Sequence, residues 1–439
     1  MTSSRRSRMR VVIVDPSYAS GVGHHQPLNG ALLQALGTAG YSPEVWGDAA
    51  LPEAIGLRRV SSGCGYVDQR HWSDLAGSLH LAARLRRQLE ACAAADAAAG
   101  LPAPTVWLAH SLLPFQLIAL AQLLQHQPPA LVLLSLMFAP GETLGGSAGL
   151  VPAELQRQAA LNARTALQAL AQAIRLGGHQ LRVGSGSAQT LGLHTPLLAA
   201  AGLLAGELHP AVVGAGSPVA PPPPITEPLV LLHWGDLKAD KGRQEALAVL
   251  QALLQCPPAE RPACRWLFHG HGQGGLPDAE RKLLEEAQRQ LGERLLWLQQ
   301  NVPSDRMQNL LAGCDLALLA YSPRTYAERS SGVLWCYAAA RYNCGRPAVA
   351  VGYGGHWLAY EAQALGMAWS TASPAMGASD GLAWLDMLQQ GLAQAQATPP
   401  RWSGDAQLVL GQTFANWVLQ QLASGSEGAE GADCTHGRR

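Results

Sequence analysis

The 439-residue sequence predicts an α/β protein with two Rossmann-like, doubly wound parallel-sheet domains. Short continuous apolar runs alternate with longer segments of helical periodicity along most of the chain. This alternation stops once, at the proline-rich stretch SPVAPPPPITEP, and then begins again. Because a proline run favours extended polyproline geometry and cannot continue a helix, the stretch predicts a linker between two domains.

Composition limits the kind of protein. Hydrophobic residues make up 48% of the chain and charged residues 14%, which is enough to fill sizeable cores. Lys plus Arg and Asp plus Glu are equal at 31 each, so no long-range field favours nucleic acid. The balance indicates a small-molecule or neutral substrate.

The cysteine pattern and the lack of long apolar windows predict a cytoplasmic protein. The eight cysteines form no C-x-x-C pair and are interpreted as reduced residues. The basic start MTSSRRSRMR is followed by an apolar run too short for a signal peptide. No window approaches the roughly 18 apolar residues that a membrane span needs. We therefore expect at most peripheral contact with the inner face of a membrane.

The first predicted domain covers residues 1–218. RVVIVD is a strand buried on both faces, followed by a glycine-rich turn and a helix in which leucine recurs at helical spacing. Further strands are predicted at YSPEVWG, TVWLAH and PALVLLSLMF, and the last ones at QLRVGSGS and PAVVGAGS.

Residues 219–228 are the predicted linker, and the second domain covers 229–402. Its predicted strands are PLVLLHW, CRWLFHG, RLLWLQ and DLALLAY, with helices near 243–254, 278–291 and 305–311. Leu410, Phe414, Val418 and Leu422 predict a C-terminal helix within 403–423 that could pack back on the first domain. The polar remainder, 424–439, is predicted to be disordered.

Two features of the first domain could contribute to a site. In SGVGHH, Gly21 and Gly23 would let a ligand approach the backbone, but the third glycine of a dinucleotide fingerprint is missing. An ordinary βα turn, with His24 and His25 at the surface, explains the motif equally well. His110 ends a predicted strand, where a neutral imidazole could bind a hydroxyl group; a structural histidine is the alternative.

In the second domain, GDLKADKG runs from Gly235 to Gly242 and joins the first strand to its helix. Lys241 at that helix start could meet an anionic diphosphate, whereas a solvated lysine there would oppose the macrodipole. HGHGQGG follows the next strand and predicts a tight turn under a nucleotide base. Because no further ligands have suitable spacing, the sequence predicts no metal site.

The most informative segment is YSPRTYAERSSGVLWCYAAARYNCGRPAVAVGYGGHW, residues 321–357. Ser330 and Ser331 suit a helix N-cap, and Gly332 permits close approach of a phosphate. Glu328 is the carboxylate within reach of the turn and could bind a sugar hydroxyl. The alternative is a capped core helix with Glu328 on its solvent side.

Taken together, these motifs resemble GT-B glycosyltransferases, specifically the retaining glycosyltransferase family 4 group, from about residue 10 to about 422. SGVGHH lies where that family has its first-domain glycine loop, and WLAHS where it has an acceptor-side histidine strand. GDLKADKG is similar to G-R-L-x-x-x-K-G. NVPSDRMQNLLAGCDLALLAYSP corresponds to the loop, helix and strand before the donor site, and the run from Glu328 to Cys336 to the family's E-x7-E motif.

The resemblance implies a nucleotide-diphosphate sugar donor bound in a cleft between the domains, with no cofactor and no metal. It implies catalytic roles for three residues: Lys241 neutralises the leaving diphosphate, Glu328 orients the donor sugar, and His110 lies near the anomeric centre. It further implies a donor-binding set consisting of Gly21, Gly23, Gly235, Arg329, Ser330, Ser331, Gly332, Val333 and Cys336.

Two positions depart from the family pattern. Asp236 replaces an arginine that would face the diphosphate, and Cys336 replaces the second glutamate, which binds ribose hydroxyls. Loss of such charge-assisted bonds, about 1.5 to 3 kcal/mol, would weaken nucleotide binding roughly ten- to a hundredfold. Arg329 or Arg243 could supply the missing positive charge.

The sequence therefore predicts a retaining, metal-independent glycosyltransferase acting on a glycan or lipid-linked acceptor, in cell-surface polysaccharide or glycoconjugate synthesis. Because of Asp236 and Cys336, a degenerate GT-B binding or scaffold protein remains an alternative. A nucleotide-sugar epimerase or hydrolase would need extra carboxylates that are not evident.

Overall fold

The structure is a computed structural model that describes residues 9–19, 24–65, 74–141, 153–216, 219, 227–235, 237–270, 276–373, 376–397 and 399–430. These residues form two compact units. The first contains the described residues of Met1–Leu144, Pro152–Val212 and Gln412–Arg439, and the second those of Val213–Gly411.

The first unit is built on a parallel sheet of seven strands in the order β3-β2-β1-β4-β5-β6-β7. Its elements are β1 (Arg10–Val14), α1 (His25–Thr38), β2 (Ser42–Asp48), β3 (Leu57–Ser61), α2 (Leu75–Ala98), β4 (Val106–His110), α3 (Pro114–Leu124), β5 (Leu131–Ser135), α4 (Ala153–Gly177), β6 (Gln180–Ser185), α5 (Ala188–Ala200) and β7 (Glu207–Leu208).

The second unit repeats this plan with six parallel strands in the order β10-β9-β8-β11-β12-β13. Its elements are β8 (Leu229–His233), α6 (Arg243–Gln255), β9 (Arg265–His269), α7 (Asp278–Leu291), β10 (Leu295–Leu298), α8 (Ser304–Gly313), β11 (Leu316–Leu318), α9 (Gly332–Asn343), β12 (Val349–Tyr353), α10 (Trp357–Leu365), β13 (Ala368–Ala372), α11 (Gly381–Ala397) and α12 (Gly404–Leu410). The predicted pair of doubly wound parallel sheets is confirmed.

The central strands are largely apolar, apart from terminal residues such as Arg10 of β1 and His110 of β4, because helices cover both faces of each sheet. All five residues of β1 and of β4 are buried, and Ile13 lies opposite Leu108 in the parallel register. No polar side chain can be accommodated along these strands without a partner. Polar groups are therefore concentrated in the loops that follow the strands.

The chain ends with α13 (Phe414–Glu430), which packs on the first unit. Phe414, Trp417 and Val418 share a core with Leu32 and Leu36 of α1. The indole Nε1 of Trp417 also donates a hydrogen bond of 2.7 Å to Glu207. The chain thus returns to its first unit after completing the second.

Three sequence predictions differ from the structure. PAVVGAGS is not a strand, because β7 ends at Leu208 and bends follow it. The single C-terminal helix is two helices: α12 ends at Leu410, and α13 restarts where the Thr413 hydroxyl accepts the Asn416 N–H at 3.2 Å. Helix α13 also continues to Glu430, into the stretch predicted to be disordered. Most of the linker, 220–226, lies outside the described residues.

Among the residues that the structure describes, no helix is both long enough and apolar enough to cross a bilayer. The seven described cysteines are all free thiols.

A buried ionic cluster joins the start of β1 to three neighbouring elements. Arg10, with 7% of its surface exposed, bonds to Glu44 of β2 and to Asp96 of α2, which is 4% exposed. Arg58 of β3 bonds to the same Asp96 carboxylate. Removing one member of a buried pair leaves an uncompensated charge, which is more costly than loss of a surface pair.

We predict that Asp96→Ala lowers the free energy of unfolding of the first unit by about 3 kcal/mol, because Arg10 keeps its charge and loses a buried carboxylate. Glu53→Ala is the matched control: its side chain is 88% exposed and pairs with Arg59 at 3.3 Å, so we expect a change below about 0.5 kcal/mol. Urea denaturation followed by circular dichroism measures both. Equal effects of the two substitutions would contradict the prediction.

Candidate active site

The strand order of each sheet identifies where its polar loops converge. In the first sheet the connections reverse direction between β1 and β4, and in the second between β8 and β11. Open α/β sheets bind ligands outside the carboxyl ends of the strands at such a reversal. The loops after β1 and β4, and those after β8 and β11, are therefore the candidate sites.

A buried hydrogen-bond network occupies this position in the first unit. The Asp15 carboxylate, directly after β1, lies 2.8 Å from Nδ1 of His25 and accepts a 2.7 Å bond from the Asn29 amide. The Asn29 Oδ1 lies 2.9 Å from Nε2 of His110. Because Asn29 donates to Asp15, its oxygen is the acceptor, and Nε2 of His110 carries the proton.

Ser111 connects this network to the surface. Its hydroxyl oxygen lies 3.2 Å from Nδ1 of His110 and 3.0 Å from Nε2 of His24. Ser111 has φ of +56°, and it is the one non-glycine residue with positive φ in the described part of the chain. Such strained conformations cluster at functional sites, since the surrounding structure must enforce them. Here the strain brings the hydroxyl between two imidazoles.

Burial keeps these imidazoles neutral. Desolvation lowers the pKa of His110 to about 4, although the nearby Asp15 raises it. Desolvation also lowers the pKa of His24 to about 3. For Asp15, burial raises the pKa, but His110 and His25 outweigh it and lower the pKa below its ordinary value. Near pH 7 the network therefore combines an ionised Asp15 with neutral His24 and His110 rings.

These contacts change the interpretation of the histidines. His110 is 0% exposed and both of its ring nitrogens are hydrogen-bonded, so it orients Ser111 and Asn29 from inside the unit. His24 is only half-buried and is the imidazole that reaches the surface. Sequence reasoning missed Asp15, Asn29 and Ser111, and Gly21 and Gly23 lie outside the described residues.

In the second unit, Lys241 ends a short 3-10 turn after β8. Gly242 follows with φ of +74°, and a Cβ there would come within 2.9 Å of the Ala320 carbonyl oxygen. The Ser322 N–H, after β11, donates a 2.9 Å bond to the Asp240 carbonyl. The loops after β8 and β11 are thus fixed against each other, as the strand reversal predicts.

Gly235 lies beneath the lysine side chain. It has φ of +108°, and a Cβ there would lie 3.9 Å from Nζ of Lys241. The structure therefore brings these two predicted residues together. Asp236, between them in sequence, lies outside the described residues.

The start of α9 is held by two serines. Ser331 caps the helix by accepting the Val333 N–H at 3.2 Å, as predicted for an N-cap. Ser330 instead donates a 2.6 Å bond to Glu361 and accepts one of 2.8 Å from the Trp335 indole. The hydroxyls of both serines and the Val333 N–H are thereby used within the protein.

Gly332 is exposed at this helix start, and a Cβ there would meet one atom, Val213 Cγ1, at 3.8 Å. Ligand atoms can therefore come close to its backbone. Glu328 lies half-buried four residues earlier. Glu361, a buried carboxylate of α10 that fixes Ser330, was not found from the sequence because it lies 31 residues away.

The two arginines proposed as replacement cations differ in their surroundings. The Arg329 guanidinium lies 5.3 Å from the centre of the Tyr326 ring. Arg243 lies 3.3 Å from Glu280 and donates to the Leu237 carbonyl. Glu280 therefore already balances the charge of Arg243.

Cys336 does not fit the ribose-binding role implied by the resemblance. It is 4% exposed on the inner side of α9, and burial raises its pKa to about 12, so the thiol stays protonated. A Cβ at Gly214 would come within 3.0 Å of its Cα, which shows how closely that loop covers it. Cys336 packs in the interior of the second unit.

Within the described ranges, no group of three or more His, Cys, Asp or Glu side chains is arranged to hold a metal ion.

Comparison with known proteins identifies the fold. No protein-family model and no curated protein sequence matches the chain. A solved UDP-forming α,α-trehalose-phosphate synthase from Burkholderia xenovorans matches with a TM-score of 0.55 and 14% identity, covering 94% of this chain and 98% of that one. Sucrose-phosphate synthase from Thermosynechococcus elongatus matches with a TM-score of 0.55 and 16% identity, covering 97% and 100%.

A third solved structure, described as trehalose-6-phosphate from E. coli bound with UDP-2-fluoro glucose, gives a TM-score of 0.53 at 14% identity, covering 94% and 98%. The two parallel-sheet domains and these matches define the class: the chain has the fold of GT-B glycosyltransferases. At these identities the likeness shows the fold, and the narrower resemblance to glycosyltransferase family 4 stays a prediction.

We predict that His110 does not titrate between pH 8 and 5.5, because its pKa is about 4 instead of the ordinary 6.5. NMR of the histidine ring protons tests this, with His110→Asn identifying the resonance. As pH falls, the unfolded state binds this proton before the folded state does. The neutral His110 therefore does not reduce the free energy of unfolding above pH 6.5, but between pH 6.5 and 4 the free energy of unfolding falls by about 1.4 kcal/mol per pH unit. A midpoint near 6.5 would contradict the prediction.

Proposed function

We propose that the protein is a retaining, metal-independent glycosyltransferase that transfers a sugar from a nucleotide-diphosphate sugar to a hydroxyl acceptor. The observation that carries the proposal is the arrangement at the strand reversal of the second sheet. There Lys241 extends over Gly235 in one loop, and the adjacent loop ends in the exposed helix start at Gly332. A flexible cation, an uncovered glycine backbone and a helix N-terminus together suit a diphosphate.

In this proposal the second unit binds the donor. Lys241 neutralises the charge that develops on the leaving diphosphate, and the backbone N–H groups of Ser331 and Gly332 bind its oxygens. The positive end of the α9 macrodipole adds about 0.3 to 1 kcal/mol. Glu328 accepts bonds from the donor sugar, Arg329 is the additional cation, and Ser330, held by Glu361, fixes the turn.

The first unit is the acceptor-side domain in this proposal. His24 and Ser111 present the polar atoms of its switch-point loops, and His110 holds Ser111 from behind. Gly21 and Gly23 would give the diphosphate access to the backbone. The bond between the anomeric carbon and the leaving phosphate oxygen breaks while the acceptor oxygen bonds on the same face. The acceptor proton passes to the leaving phosphate.

The same proposal includes membership in glycosyltransferase family 4, a role in cell-surface polysaccharide or glycoconjugate synthesis, and a cytoplasmic location. The motif order and the free cysteines support them.

One observation favours a second candidate, a nucleotide-binding protein without catalytic activity. Cys336 replaces the carboxylate expected to bind ribose, and its thiol is buried and protonated. A nucleotide would then lack a charge-assisted contact, and binding would be weaker by roughly ten- to a hundredfold. The two candidates share the same diphosphate site and differ in whether the glycosidic bond is broken.

We predict that a nucleoside diphosphate raises the melting temperature of the protein, with UDP as the first choice because one solved relative in fold is bound with UDP-2-fluoro glucose. Lys241→Ala should weaken UDP binding about tenfold or more by calorimetry, because a charge-assisted contact is lost. Lys282→Ala, an exposed lysine of α7, is the control for the change in net charge. If UDP, GDP and ADP all fail to shift the melting temperature, both candidates are wrong.

We also predict that the protein slowly hydrolyses the matching nucleotide sugar when no acceptor is present. Glu328→Gln should lower kcat roughly ten- to a hundredfold and leave the affinity for the free nucleoside diphosphate unchanged, because its contact is to the sugar. Glu285→Gln on the exposed side of α7 is the control. Wild-type protein that binds the diphosphate but releases no sugar would favour the binding protein.

A further inference from the structure

An apolar cavity opens beside the first-unit network, at the carboxyl edge of β4 and β5. Its volume is about 510 Å³ including the part open to solvent. The walls come from the segments after both strands and from α4 and α5, and include Leu113, Leu136, Phe138, Ala166 and His194. Every lining residue lies within the first unit.

The described cavity walls carry no charge. Apart from His194, the lining side chains in the described part of the chain are Leu, Met, Phe, Pro or Ala. A phosphate or carboxylate placed there would lose its hydration without gaining a cation, which is strongly unfavourable. The walls therefore favour an uncharged, apolar group.

His194 adds one directional polar contact. It is 5% exposed, and its Nε2 donates a 2.9 Å bond to the Phe138 carbonyl, so Nδ1 carries the lone pair. This Nδ1 is buried and, among the residues that the structure describes, it has no hydrogen-bond partner. Desolvation lowers the pKa of His194, which keeps the ring neutral and Nδ1 an acceptor. A buried acceptor without a donor is costly, and a hydroxyl group on a ligand would satisfy it.

The cavity also borders the candidate active site. Met137 lines it, and the sulfur of Met137 lies 3.0 Å from the Ser111 hydroxyl. Ser111 in turn contacts His24 and His110. A molecule in the cavity would therefore extend towards the polar groups of the first unit's switch-point loops.

We propose that this cavity binds the apolar part of the acceptor, an uncharged molecule with one hydroxyl or amine donor directed at Nδ1 of His194. Its role as an acceptor subsite rests on the proposed glycosyltransferase function; binding itself does not. The acceptor is thus a hydrophobic alcohol or phenol, or a molecule with such a portion, and the part held here is not phosphorylated.

The test uses 1-naphthol and 1-methylnaphthalene, which share an apolar body but differ in the hydroxyl group. Calorimetry on the full-length protein should show saturable binding of 1-naphthol, and 1-methylnaphthalene should bind roughly two- to tenfold more weakly, as expected for one hydrogen bond. His194→Phe should abolish that difference. Equal affinity of wild-type protein for both probes, or no binding of either, would overturn the inference.

A filling substitution locates the binding site. Ala166→Phe should reduce 1-naphthol binding at least tenfold, whereas Ala160→Phe, a half-buried position of α4 outside the cavity, should not. Unchanged binding in Ala166→Phe would place the probe elsewhere and overturn the inference. Thermal shifts of the same variants with UDP test the glycosyltransferase proposal separately from the cavity proposal, because nucleotide binding is assigned to the second unit and the cavity lies in the first. Loss of the UDP response alone would argue against the glycosyltransferase and leave the cavity assignment intact.

Discussion

The parallel arrangement of both sheets is the constraint on which the functional architecture depends. Every strand runs in the same direction as its neighbours, so each loop that leaves a strand emerges at one edge. Where the strand order reverses, the loops after two adjacent strands lead to helices on opposite faces of the sheet, which leaves a crevice between the loops. Within each unit, topology therefore brings together polar residues that lie far apart in sequence, such as Asp15 and His110 in the first unit.

Backbone conformation does much of the remaining positioning. Gly235 and Gly242 have left-handed φ values, and the second approaches the Ala320 carbonyl too closely for a side chain. Ser111 takes a left-handed conformation despite its side chain, and its hydroxyl then reaches both His24 and His110. The strained conformation of Ser111 costs on the order of 1 to 3 kcal/mol, which the packing around it must offset. The two glycines adopt their φ values without this cost.

Much of the fold is readable from sequence because periodicity is a local property. The buried runs RVVIVD and TVWLAH and the helix at Asp278–Leu291 are recognisable without knowledge of their neighbours. The break between α12 and α13 is not, since four apolar residues at i, i+4 spacing continue across it. A cap at Thr413 and packing on separate units decide that boundary.

The site was predictable only in part for the same reason. Lys241 and Gly332 follow strands and carry local signals, whereas the Asp15–Asn29–His110 chain depends on contacts across 81 and 14 residues. Motif spacing identifies the position of Cys336, but not that the thiol of this residue is buried in the folded unit. Side-chain direction and tertiary partners are not encoded in motif spacing.

The return of α13 to the first unit has a consequence for how the protein is made. The core around Leu32 and Leu36 includes hydrophobic residues of α13 between Phe414 and Leu422, which are synthesised after the whole second unit. Until they leave the ribosome, a face of α1 stays uncovered while nearly the whole second unit is already available to fold. In a growing chain, the domain that is translated first is therefore the one whose core is completed last.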